Sequence, residues 1–155
     1  MKTTAIGDAI TSVVAGMTSA VTYQVFDGPP SKRPQRGVSQ YLVIGAETLD
    51  DSGNPVSGAA MTQQFSGLGQ IARDEHFDIP CVAVGIATAN SISTARASAL
   101  SIIQDVGTYL AGNKHPTNEI YNMLVSAVTG TQVLNTTGGA MVHVQFVISG
   151  EANLI

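Results

Sequence analysis

Apolar positions recur at helical spacing in two stretches of the chain and at strand spacing in six. Over residues 3 to 18, Ile6, Ile10, Val13, Val14 and Met17 fall on one stripe, which predicts an amphipathic helix. Thr3 or Thr4 is placed to cap its start, and Asp8 sits near the positive end of its dipole. A second helix is predicted after Asn90 or Ser91, with Ile92, Ala95, Ala99, Ile102, Val106 and Leu110 on its apolar face and Gly112 at its end. Strands are predicted at 21–27 (VTYQVFD), at 39–46 (SQYLVIGA), in two segments within 61–88, and near 121–134 and 140–149. The element order α-β-β-β-β-α-β-β predicts an α+β fold: a mostly antiparallel or mixed sheet with two helices packed on one face. At 155 residues, without a repeat or low-complexity linker, the chain is expected to form a single domain over 1–155.

One stretch concentrates ionisable groups. RDEHFDIPCVAV, 73 to 84, brings Arg73, Asp74, Glu75, His76 and Asp78 up to Cys81, the only cysteine. Strand alternation separates these residues into two faces. Arg73, Glu75, Phe77, Ile79 and Cys81 share one side; Asp74, His76 and Asp78 share the other. His76 and its carboxylates therefore point away from Cys81, which reads as a small buried hydrophobe and not as a nucleophile. Asp74, His76 and Asp78 have an i, i+2, i+4 spacing that a metal can use, but no fourth ligand is close in sequence. A small hydrolase using His76 with Asp74 or Asp78 is the enzymatic alternative. It requires these groups to line a pocket.

The remaining histidines carry weaker signals. His115 follows a helix end, where a cation meets the last carbonyls. His143, in MVHVQF, alternates with core positions and is expected half-exposed or at an interface. No phosphate-binding loop, dinucleotide fingerprint, HExxH or paired CxxC is present. No catalytic residue, metal or cofactor is expected, and the chain is read as a non-enzyme.

Composition sharpens the picture. Charged residues are only 12% of the chain, about half the share in an average soluble domain. Ser and Thr abound instead, so copies repel one another weakly, which suits a subunit of an assembly. A net charge of −4 lacks the basic footprint of a general nucleic-acid binder. The N-terminus does not read as a signal peptide, and no apolar run approaches a membrane span. Synthesis in a cytoplasm and no membrane partner are expected.

Two loops carry opposite charge. PPSKRPQRG holds Lys32, Arg33 and Arg36, and ETLDDSGNP holds Glu47, Asp50 and Asp51. Head-to-tail pairing of such loops between neighbouring copies closes a ring. With them, Asp74, His76, Asp78 and His143 complete the candidate subunit or partner interface.

Three segments then point to a family. QVFDGPP at 24–30, RDEHFDIPCVAV at 73–84 and GGAMVHVQFVISG at 138–150 occur in order along most of the chain. In this the sequence resembles the tail terminator proteins of long, non-contractile-tailed bacteriophages; the loop from 29 to 60 departs from that pattern. The resemblance implies a virion protein assembled in the host bacterial cytoplasm, forming a hexameric ring on the last ring of tail tube protein. Such a ring ends tube polymerisation and presents a docking surface for the head-completion or neck protein. DNA passes through the lumen without sequence-specific binding. A head-closure or neck adaptor of the same connector region is the alternative.

Overall fold

The computed structural model describes residues 4–28, 39–45, 60–65, 73–87, 91–113, 115–136 and 139–154. Its elements run α1 (Ile6–Ala20), β1 (Gln24–Asp27), β2 (Gln40–Ile44), β3 (Ala60–Phe65), β4 (Arg73–Ala87), α2 (Ile92–Gly112), β5 (Ile120–Thr136) and β6 (Gly139–Leu154). The order is the one the apolar pattern predicts, and the fold is α+β. Among the described residues a six-stranded sheet runs β1-β2-β4-β6-β5, with β3 also paired to β4. Strands β1 and β2 are parallel and all other pairs antiparallel. β4 is the hub. Its residues 81–85 pair with β2 and its residues 73–78 with β3, on one side, while its whole length pairs with β6 on the other.

Both helices pack on one face. The core joins Ala9, Val13 and Met17 of α1 and Ala95, Ala99, Ile102, Val106 and Leu110 of α2 to Phe77, Ile79, Cys81 and Ala83 of β4 and Val142, Val144, Phe146 and Ile148 of β6. Two glycines admit this packing. A Cβ at Gly85 would overlap the Ala95 carbonyl oxygen, so α2 rides directly on the β4 backbone. At Gly150 a Cβ would overlap the Phe77 ring.

The start of α1 differs from expectation. Its N-cap is Ala5, which makes no side-chain cap, and Thr4 Oγ1 only accepts from Ile6 N–H at 3.3 Å. The cap comes from β4. Glu75, fully buried, accepts through Oε1 from Thr4 Oγ1 at 2.9 Å, Ala5 N–H at 3.0 Å and Ile6 N–H at 3.1 Å. A buried carboxylate is tolerable here because it meets the unpaired amides and positive dipole end of a helix. At α2 the cap is local, as expected: Ser91 Oγ accepts from Thr94 N–H at 3.4 Å.

Candidate functional site

The sheet face away from the helices is divided in two. Towards the 82–87 end of β4 it is apolar: Tyr41, Val43, Val82 and Val84 are buried together, with Phe26, Ile86 and Met141 against them. Towards the 73–78 end it is polar. Strand alternation, working on β4 and β6 in register, produces both halves, since Asp74, His76 and Asp78 stand opposite Asn153, Glu151 and Ser149.

Each of these cross-strand pairs is in polar contact. Asn153 Nδ2 donates to Asp74 Oδ1 at 2.7 Å. His76 Nδ1 lies 3.3 Å from Glu151 Oε1, with both side chains well exposed, so this pair contributes little to stability. Ser149 Oγ donates to Asp78 Oδ1 at 2.6 Å and lies 2.7 Å from Ser126 Oγ of β5. Tyr121 joins the same patch. Its phenol is raised above the ordinary tyrosine range by desolvation and then by the Glu151 and Asp74 carboxylates. A shallow, open depression of about 160 Å³ lies here, lined by His76, Asp78, Asn122, Leu124, Ser149 and Glu151.

The polar side chains of this patch are engaged with one another. Asp74 and Asp78 are each engaged by an amide or hydroxyl from β6, and His76 faces Glu151. Cys81 is buried on the opposite face, with its thiol pushed up to about 12 by burial. It holds too little thiolate at neutral pH to attack a substrate. No group of three or more His, Cys, Asp or Glu suited to a metal occurs among the described residues.

The sequence-derived candidates thus separate. Asp74, His76 and Asp78 come together on the open face, as alternation predicts. Lys32, Arg33, Arg36, Glu47, Asp50 and Asp51 lie outside the described residues. His143, expected half-exposed or at an interface, is only 6% exposed in the chain. Its Nε2–H donates to the Met141 thioether sulfur at 3.1 Å, and burial pulls its pKa below the ordinary histidine value. The physical reason is the apolar half of the face, where its β4 neighbour is Val84. His115 Nδ1 lies 3.3 Å from the Ile120 carbonyl oxygen at the start of β5. The sequence reading missed Ser149, Glu151 and Asn153. Their alternation with Gly150, Ala152 and Leu154 is visible in ISGEANL, but the last strand is expected near 140–149, which leaves Glu151 and Asn153 beyond it.

No helix among the described residues is long and apolar enough to cross a membrane. No family model matches the chain, and no curated protein matches its sequence. Among solved structures, a chain described as "Virion of native gene transfer agent (GTA) particle" is similar with a TM-score of 0.50 at 14% identity, over 92% of this chain and 84% of that one. At this identity the likeness is one of fold: the chain shares its architecture with a component of a virion particle.

Proposed function

We propose that the protein is a structural component of a phage-like virion, acting by contact and without chemistry as a tail terminator. Copies form a hexameric ring that caps the tail tube, stops its polymerisation and offers a docking surface to the neck or head-completion protein. The observation that carries this reading is the fold shared with a virion chain over nearly the whole length of the protein. The three ordered segments that resemble tail terminators supply the finer assignment. The polar half of the open face supports it as well. Asp74, Asp78 and Glu151 make that face acidic, which suits either passing DNA, repelled and not held, or a basic partner.

Deleting the gene and measuring the tails tests the assignment. A terminator's loss gives over-long tails of irregular length. Tails of normal length on heads that leak DNA would assign the protein to the neck instead.

A further inference from the structure

β5 is an edge strand without the usual protection. It pairs only with β6 among the described residues, and its 17 residues include no charged side chain and no proline. Native edges are ordinarily blunted by charges, prolines or bulges, because unpaired N–H and C=O groups template another strand. Three register shifts do interrupt β5, between Ile120 and Asn122, Val125 and Ala127, and Val128 and Gly130. All lie before Gly130. From Gly130 to Thr136 the register against β6 is unbroken.

The edge is also apolar. Of the exposed large hydrophobic residues, Tyr121, Leu124, Val128 and Val133 lie on β5, leaving Leu100 as the one other among the described residues. Val128 and Val133 stand opposite Phe146 and Val142 on the helix-covered face. Those partners are buried in the core, yet Val128 is 56% and Val133 42% exposed. The helix-side core takes in Ile120 and Met123 at the start of β5 but leaves Val128 and Val133 uncovered.

A complementary edge exists on the far side of the same sheet. β3, AMTQQF, is likewise uncharged and pairs only with β4 among the described residues. Its six residues are one fewer than the uninterrupted part of β5. The two edges occupy opposite corners: β3 runs beside residues 73–78 of β4, while Gly130–Thr136 lies across β6 from the other end of β4.

We propose that the Gly130–Thr136 edge of β5 takes the β3 edge of a second copy of this chain, continuing the sheet from subunit to subunit. One chain carries both halves of the contact, which is therefore head-to-tail and can close a ring. Because the edges sit at opposite corners, each copy is staggered along the strands relative to the next, as closure of a sheet into a wall requires. The bulged part of β5 before Gly130 and the polar patch beside it remain outside the contact. This deepens the ring reading and rests on its premise that copies associate.

The test places a benzophenone amino acid at Thr131, which is exposed on this edge. The concentrated full-length protein is irradiated and the cross-linked peptides are mapped. The expected link is to residues 60–65 of another copy. A link to β5 of the other copy, or to any segment outside β3, overturns the proposal. In parallel, light scattering follows self-association of the unaltered chain and of a Thr131→Lys/Val133→Lys variant with unchanged circular dichroism. The lysines should weaken self-association at least about tenfold, as edge charges do. Self-association unaffected by them overturns the contact and leaves the ring standing. No self-association of the unaltered chain overturns the contact and its premise together.

Discussion

Removing the carboxylate of Glu75 tests whether α1 is held to the sheet by a single buried anion. In Glu75→Ala, the Ala5 and Ile6 N–H groups and the Thr4 hydroxyl each lose the Glu75 acceptor, while Ile6 N–H keeps Thr4 Oγ1 at 3.3 Å. The Ala5 amide is buried, while Thr4 and Ile6 are partly buried, so water can rescue them in part. A buried donor left unpaired costs about 1–3 kcal/mol, and loss of a helix cap typically about 1 kcal/mol. Together these give a destabilisation of about 3 kcal/mol, or a fall in Tm of about 6–12 °C at this chain length. Glu75→Gln keeps an acceptor oxygen of the same reach but removes the charge, and should cost about 1 kcal/mol. Urea unfolding followed by circular dichroism, with an unchanged m-value, gives both numbers. A Glu75→Ala variant less than about 0.5 kcal/mol weaker than the wild type would refute the reasoning, because that is the range of an ordinary surface substitution.

Three further outcomes are expected. Gly85→Val drives side-chain carbons into the Ala95 carbonyl and α2, and should cost about 3 kcal/mol or more; an unchanged urea midpoint would show that α2 does not ride on this strand. Cys81, buried with its thiol raised from 9.0 to about 12, should react with iodoacetamide about a thousandfold more slowly than in the unfolded chain. Labelling of the native protein at the unfolded rate contradicts that. His143 is held neutral by burial, with its folded pKa below 6.5. As pH falls below 6.5, the unfolded chain therefore binds the proton first and stability declines. A His143→Gln variant should lose part of the wild-type decline in unfolding midpoint between pH 7 and pH 5, and an identical decline in both would be the contrary result.

Local periodicity was the legible part of the sequence. Alternation in RDEHFDIPCVAV assigns Phe77, Ile79 and Cys81 to the core and Asp74, His76 and Asp78 to the open face, and the structure places them so. Helical spacing identifies Ala95, Ala99, Ile102, Val106 and Leu110 as the buried stripe of α2. What failed depended on partners remote in sequence. Glu75 was assigned its face correctly, but its role as a cap depends on Thr4, Ala5 and Ile6, 69 to 71 positions away. The burial of His143 was not legible because its cross-strand neighbours, Val84 of β4 and Gln132 of β5, are set by a register that no local pattern reveals. The β6 half of the polar patch is legible only in part, because the strand expected near 140–149 stops before Glu151 and Asn153 whereas β6 runs on to Leu154.

The most direct measurement is an electron-microscopic reconstruction of particles that contain the protein, with the chain fitted into the density between tail tube and neck. The account predicts a hexameric ring of this fold seated on the last ring of tube subunits and beneath the neck. Density for the chain within the capsid shell, along the tube or at the distal tail tip would contradict it.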